Sequence, residues 1–538
     1  MADWFDRTVG DLIRHFRWSF LPPLMVYFAA GISGLTSVVG AFFVKDFLNL
    51  SAAFLAGLGF WVGLPWVLKM PVGHLVDLIW RWKALLVWAG AALIGVSLII
   101  MYALIMHTPA MRALMSVEAW YVLAVLLAPS GYVIQDVVAD AMTVEAVPAV
   151  DAEGKPYSEE AAKAMHTTMQ TLGRFAIISG LVMVASLNIF MFSNVEALDQ
   201  AQKVQIYGRI YLIALAIPAI SVSGVILAGI MRRAQARRMR VSGFPEDRIH
   251  ATVFTPPEQV DPNWQILIGG LVFVGLSIAG GLSDIPFAEE LVFGGSMGIV
   301  LFLISRLIRE LPEGKATALI GTAVIIFVFR AVPLPGPGQT WFEIDVLGFD
   351  ERFLSVLSLI TSGLTLAGLV ILRPMMAHRS IAFIIVLLTI AAAVLSLPNI
   401  GLYYGIQNWT AAHTNGIVNA RFIAIIDTAI ESPLGQIAMI PMLAWIAKNA
   451  PSRLKATFFA VMASFTNLAL SASSLMTKYL NQIFVITREV RDRQTGEIIV
   501  AAAYGNLGIL LITVALISLA VPLLTVVVIQ ASRYRTAD

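Results

Sequence analysis

Residues Trp120–Val147 read WYVLAVLLAPSGYVIQDVVADAMTVEAV, an apolar run with Asp136 and Asp140 inside it. A second run, Ile417–Ile446, reads IVNARFIAIIDTAIESPLGQIAMIPMLAWI and holds Asp427 and Glu431. Both runs exceed the roughly 20 residues that cross a bilayer as a helix. Both acidic pairs are spaced i, i+4, which places each pair on one helix face. A charged side chain at the bilayer centre costs about 3 kcal/mol on insertion scales, so such groups face a bundle interior, a water-filled path or a partner charge. Two pairs in matching places predict a duplicated membrane protein with a polar pathway through its middle.

Composition agrees. Of 538 residues, 58% are hydrophobic and 13% charged, against about 25% charged in soluble domains. The charges cluster between apolar runs of membrane-crossing length, so the chain reads as an all-α, multi-pass membrane protein. With no cysteine, thiol catalysis, disulfides and iron–sulfur chemistry are excluded. A net charge of +2 gives no reason to expect nucleic acid as a partner. Phe5, Val9, Leu12, Ile13 and Phe16 recur at helical spacing beside Arg7, Arg14 and Arg17, which predicts an amphipathic N-terminal segment over 1–19 lying on the membrane surface.

Hydropathy predicts fourteen spans, at about 20–44, 50–70, 84–106, 118–146, 164–192, 207–231, 264–283, 288–309, 316–333, 352–373, 380–400, 416–446, 455–480 and 504–530. The implied plan is a six-helix bundle over 20–231, a basic linker over 232–263, an inserted transmembrane hairpin over 264–309, a second six-helix bundle over 316–530 and a tail over 531–538. Arg and Lys concentrate on alternate loops: Lys69, Arg81 and Lys83 after the second span, and Arg232, Arg233, Arg237, Arg238, Arg240 and Arg248 after the sixth. The positive-inside rule then puts both termini in the cytoplasm. Val485–Val500 alternates around Gln494-Thr495-Gly496 and predicts a β-hairpin in an outside loop.

The two halves resemble each other. Phe43-Val-Lys-Asp46-Phe-Leu48-Asn-Leu50 aligns with Phe342-Glu-Ile-Asp345-Val-Leu347-Gly-Phe349 at an offset of 299 residues, and Asp136/Asp140 align with Asp427/Glu431 at an offset of 291. Parallel six-span repeats are the architecture of major facilitator transporters. The expected fold is therefore the major facilitator fold with two extra transmembrane helices between the bundles.

Between the second and third spans runs Gly73-His-Leu-Val-Asp77-Leu-Ile-Trp-Arg81-Trp-Lys83, which resembles the loop signature of that superfamily. The resemblance implies close helix approach at Gly73 and a cytoplasmic Asp–Arg latch between the halves, with Lys69, Gly73, Asp77, Arg81 and Glu145 as gating residues. Further strings point to a narrower group. Leu64-Pro65-Trp66-Val-Leu-Lys69-Met-Pro71-Val-Gly73, Gln135-Asp136-Val-Val-Ala-Asp140-Ala, Trp341-Phe-Glu-Ile-Asp-Val-Leu347-Gly348-Phe349 and Lys455-Ala456-Thr457-Phe-Phe-Ala460 follow in order and resemble the folate–biopterin transporter family. Lys455 departs from it, since the family usually carries an acidic residue there. The string from Gln135 to Glu145 also resembles the neighbouring muropeptide permeases.

The resemblance implies a folate- or pterin-like small-molecule substrate. A carboxylate accepts both donors on one edge of a pterin ring, and arginine suits the carboxylates of a glutamate tail. Asp136, Asp140, Arg174, Asp427, Glu431, Asn467, Arg330 and Trp66 are the candidate substrate- or proton-binding residues. Tyr403, Tyr404 and Trp409 join Trp66 as aromatic faces for stacking, although packing or an interfacial belt explains such residues more often. A static bridge from Asp136 or Asp140 to Arg174 competes with direct substrate or proton handling. In the second half Asn467 aligns with Arg174, so Asp427 and Glu431 lack the equivalent cation and rank first for function. Arg330, just before Pro333, fits snorkelling as well as binding.

No Gly-x-x-x-x-Gly-Lys-Ser/Thr loop occurs, which argues against ATP-driven transport. The expected protein is not an enzyme and needs no cofactor or metal. It is a monomeric, proton-coupled symporter of the bacterial inner (plasma) membrane, working by alternating access, with the lipid bilayer and protons as its other partners. A permease for muropeptides or other organic anions is the alternative. A membrane assembly or pigment-delivery protein without transport is the alternative from another class.

Overall fold

The computed structural model describes residues 16–48, 50–147, 158–254, 261–282, 286–309, 311–371, 380–431, 455–491 and 497–536. Most of the expected amphipathic N-terminal segment, the hairpin tip at Gln494–Gly496 and the second part of the 416–446 span lie outside these residues.

The first half contains α1 (Leu21–Gly31), α2 (Ser37–Phe47), α3 (Ala52–Gly63), α4 (Lys69–Leu78), α5 (Lys83–Met106), α6 (Thr108–Leu114), α7 (Val117–Ala146), α8 (Glu159–Met191), α9 (Gln200–Ala214), α10 (Ala216–Val241) and α11 (Glu246–Val253). There follow α12 (Trp264–Leu282) and α13 (Ala288–Ile308), where the inserted hairpin was expected. The second half contains α14 (Glu313–Ala331), α15 (Pro337–Asp345), α16 (Glu351–Ile371), α17 (Ile381–Tyr403), α18 (Ile406–His413), α19 (Ala420–Glu431), α20 (Lys455–Ile483) and α21 (Leu507–Gln530). Strands β1 (Val490–Arg491) and β2 (Ile498–Val500) pair antiparallel, Val490 with Val500, as the alternation predicts.

Ten helical stretches among the described residues are long and apolar enough to cross a membrane. They match ten of the expected spans. The first is interrupted by a 3-10 turn over Ile32–Thr36. Helices also lie at the other four, at α12, α16, α19 and α20, and α20 carries a polar row, Ser464, Asn467, Ser471, Ser474 and Lys478, that lowers its hydropathy. Large apolar side chains such as Leu516, Leu524 and Val527 are more than half exposed, as lipid-facing surface requires. Helices suit this setting because every backbone group is bonded inside its own segment.

The chain divides into two compact units that do not follow the sequence halves. Unit 1 gathers the chain up to Thr36 with Pro71–Val184 and Ala201–Leu267. Unit 2 gathers Ser37–Met70, Ala185–Gln200 and everything from Ile268. In unit 1, α5 and α7 cross with Gly90 against Gly131; a Cβ on either would lie 2.7 or 2.5 Å from the other's carbonyl oxygen. Gly31 on α1 and Gly180 on α8 make a second close crossing. Small residues let membrane helices approach in this way, where packing rather than hydrophobicity drives association. Pro129 sits inside a continuous α7, and the Ser130 hydroxyl donates to the Leu126 carbonyl at 3.0 Å.

In unit 2, α3 packs along α20. Pro65 starts a 3-10 turn, Leu64–Leu68, whose carbonyls are only partly used within the chain. Ser464 Oγ donates to the Val67 carbonyl at 3.0 Å and Asn467 Nδ2 to the Trp66 carbonyl at 3.2 Å. The side chains of α20 thus hold the break in the second span.

Candidate functional site

Asp136 and Asp140 both lie on α7 and are partly buried. The Tyr27 hydroxyl on α1 donates to Asp140 Oδ1 at 2.6 Å. Tyr27 is itself buried, and Gly173 on α8 makes its place: a Cβ there would come within 2.9 Å of the ring. Asp136 and Arg174 lie within electrostatic reach of the same hydroxyl. Gly173 takes the packed position and the neighbouring Arg174 side chain is exposed. Unit 1 therefore holds two carboxylates, one phenol and one accessible guanidinium in one place. Composition and spacing gave no signal for Tyr27, because a lone tyrosine in an apolar span is usually packing.

The second acidic pair is set differently. Asp427 on α19 is 6% exposed, and Asn399, next to Pro398 in α17, donates to its Oδ2 at 3.0 Å. Glu343 on α15 lies close enough to interact with Asp427 electrostatically, and accepts from Gln339 Nε2 at 2.8 Å. Sequence reasoning missed both Glu343 and Asn399. Glu343 stands inside the Trp341–Phe349 string, but its repeat counterpart is Val44, so the symmetry argument passed over it. The Glu431 side chain lies outside the described residues.

The other predicted residues fall elsewhere. Asn467 and Trp66 meet in the α3/α20 seam through the Trp66 carbonyl. Arg330 is partly buried, and among the described residues its Nε has no hydrogen-bond partner. Tyr403 packs against Phe342, with ring centroids 5.4 Å apart, and donates to the Gly505 carbonyl at 3.0 Å, so its ring is part of the core. Tyr404 and Trp409 are exposed.

The expected gating loop also needs correction. A Cβ on Gly73 would meet only Val137, at an ordinary 3.8 Å, so Gly73 marks no close approach; Gly31, Gly90, Gly131 and Gly180 do. Asp77 and Arg81 are exposed. The ion pair at this end joins Lys83 Nζ to Glu145 Oε1 at 2.5 Å, with Arg232 Nη1 3.7 Å from the same oxygen. Lys83 is 3% exposed, sits 3.7 Å above the Trp80 ring and donates to the Trp80 carbonyl. All these groups belong to unit 1.

A further charged cluster joins the repeat-related Asp46 and Asp345. Lys45 Nζ is 3.2 Å from Asp46 Oδ1 and 2.6 Å from Asp345 Oδ1, and the Tyr504 hydroxyl donates to Asp345 Oδ2 at 2.5 Å. Arg488, in the loop before β1, is buried over the Trp341 ring and donates to the Leu48 carbonyl. Burial pushes its guanidinium down to about 10 against the pull of Asp46, Tyr504 and Asp345, so it keeps its charge at neutral pH. Among the described residues no group of three His, Cys, Asp or Glu side chains has the arrangement of a metal site.

Membrane-crossing helices and buried carboxylates on α7 and α19 define a multi-pass membrane protein, and its fold is that of known transporters. It is similar to the crystal structure of a POT family transporter in complex with 5-aminolevulinic acid, with a TM-score of 0.60 at 13% identity, covering 96% of each chain. A peptide transporter POT in complex with alafosfalin gives 0.61 at 14% identity, again covering 96% of each. The sequence narrows this further. The model of the BT1 family matches residues 30–537, and the chain belongs to that family. It is 23% identical over 486 residues to the folate-biopterin transporter of Synechocystis sp. (strain ATCC 27184 / PCC 6803 / Kazusa), covering 86% of this chain and 75% of that protein.

Proposed function

We propose that the protein is a secondary active transporter of a folate- or pterin-like organic anion, working by alternating access and coupled to protons. The observation that carries this reading is the unequal setting of carboxylates from the two repeat-related acidic pairs. Asp140, with Tyr27 and the accessible Arg174 beside it, offers the mixed donors and acceptors that a ring with an acidic tail needs. Asp427 has an amide donor and the Glu343 carboxylate as neighbours, a place where one proton can be held between two like charges and released when they separate. The similarity to a protein named folate-biopterin transporter supports the substrate class.

In this reading fourteen spans form two six-helix bundles plus the α12/α13 hairpin, in a bacterial inner membrane with both termini cytoplasmic. The Lys83–Glu145–Arg232 cluster is then at the inner end and the Lys45–Asp345–Arg488 cluster at the outer end.

The test is uptake of labelled folate into proteoliposomes with and without an inward proton gradient. Gradient-dependent uptake that Asp427→Asn abolishes supports the proposal. No uptake by protein that elutes as a folded species overturns the substrate class and moves a muropeptide or other organic anion ahead of it.

A further inference from the structure

The α3/α20 seam is built unlike the other helix contacts. The row Ser464, Asn467, Ser471, Ser474 and Lys478 recurs at three- and four-residue steps and so lies on one face of α20. Facing it, Gly59 and Gly63 on α3 leave space that Ser474 Oγ and Ser471 Oγ approach, at 3.6 and 3.5 Å from where a Cβ would stand. Ser471 is 1% exposed and its hydroxyl has no hydrogen-bond partner among the described residues. The hydroxyls and carbonyls that these helices exchange are groups whose partners water can replace, so the seam can part without leaving them unsatisfied.

One residue of the inserted hairpin ties this seam across. Glu289, in the first turn of α13, accepts from Trp61 Nε1 on α3 at 3.3 Å and forms an ion pair with Lys478 on α20. Gly57 on α3 makes room for it: a Cβ there would lie 3.1 Å from Glu289 Oε1 and 3.4 Å from Lys478 Cδ. The next residue, Glu290, is 3.9 Å from Lys478 and accepts from the Tyr479 hydroxyl. On the other arm of the hairpin, a Cβ at Gly280 would lie 3.5 Å from the Trp61 ring.

We propose that the α12/α13 hairpin is a conformational clamp, and that Glu289 staples α3 to α20 and holds their seam closed. If α3 and α20 part during a transport cycle, the Glu289–Lys478 pair must break or one helix must leave with the hairpin. The hairpin therefore sets the balance between closed and open seam without touching substrate. The inference rests on the alternating-access reading only for its purpose; the staple itself is independent of any substrate.

The absence of cysteine makes the native chain a ready background for the test. Ser471→Cys reports the seam, and Val528→Cys, at an exposed position, reports general reactivity. Rates of maleimide labelling are compared for Glu289→Gln, Lys478→Gln and the charge-exchanged pair Glu289→Lys with Lys478→Glu. The expected result is about tenfold faster labelling at position 471 in either single variant, with position 528 unchanged and the exchanged pair returned toward the native rate. Equal rates at position 471 in native and Glu289→Gln protein overturn the clamp. Faster labelling that the exchanged pair does not reverse overturns it too, because lost packing rather than the ion pair then explains the opening. Labelling needs no transported molecule, so failed folate uptake with a stapled seam counts against the substrate reading alone.

Discussion

Asp140 in unit 1 accepts the Tyr27 hydroxyl, which has Asp136 and the Arg174 guanidinium within electrostatic reach, whereas Asp427 in unit 2 accepts an asparagine amide and has Glu343 within electrostatic reach. The two residues belong to the matching acidic pairs of an internal repeat, in which Asp136 aligns with Asp427 and Asp140 with Glu431, and the groups around them differ. A carboxylate compensated by a cation works as a fixed charge that can hold a ligand. A carboxylate beside another carboxylate is less easily kept as a fixed charge, and loading it with a proton removes the repulsion. In the proposed reading, the side chains around the two acidic pairs divide the labour.

The sharpest way to break this division is Asp427→Asn. Gradient-driven uptake is expected to fall about a hundredfold, while exchange of substrate across proteoliposomes without a gradient stays within about threefold of native. Equal loss of both modes would make Asp427 a substrate ligand. The mirror substitution, Asp140→Asn, should weaken binding and leave the gradient dependence of the remaining uptake intact. Next in size is Arg174→Ala. Losing a charge-assisted bidentate contact costs about 1.5–3 kcal/mol, so the uptake KM for folate should rise at least tenfold, while a pterin without a glutamate tail is affected far less. Equal effects on both compounds would free Arg174 from the tail-binding role.

How much of this was legible in advance follows from the physics of each signal. Apolar runs of membrane length and the acidic pairs stand out in the sequence because charge is expensive in lipid; among the described residues ten helical stretches are long and apolar enough to cross a membrane, and β1 pairs with β2 as alternation requires. The partners of those acids did not stand out. Tyr27, Asn399 and Glu343 come from other helices, and no local period links them to Asp140 or Asp427. Gly73 illustrates the opposite error: a glycine at a familiar spacing was read as a close approach, yet the close approaches are at Gly31, Gly90, Gly131 and Gly180, deep in apolar runs where glycine has no local signature. The grouping of Ser37–Met70 with unit 2 follows from the polar seam with α20, a contact between residues some 400 positions apart.

The charge cluster around Asp345 and Arg488 refines the comparison through pH. With the Arg488 guanidinium pushed down to about 10 from 12.5, the sign is that of a buried cation. Below about pH 10 it is charged and its burial cost is fully present; stability from this group rises only as pH climbs from about 10 toward 12.5. Between about pH 5 and 8 it does not titrate, so Arg488→Gln should shift the midpoint of the uptake pH profile by less than about half a unit. A larger shift would move proton handling from Asp427 to this cluster.

The smallest effect is expected at the Lys83–Glu145–Arg232 cluster, and its size depends on redundancy. Lys83→Met keeps the aliphatic stem that covers the Trp80 ring and removes the charge on Glu145. An ion pair broken deep inside a protein costs about 3–5 kcal/mol because the partner is left uncompensated. Glu145 is not left so: Arg232 stands 3.7 Å away and both side chains retain access to solvent. The loss should therefore be about 1 kcal/mol, a fall of about 1 °C in Tm for a chain of this length. Adding Arg232→Met removes the second cation, and the double variant should lose more than the two single variants together. Simple additivity would mean that Arg232 does not replace Lys83, and that the cluster is held by one pair alone.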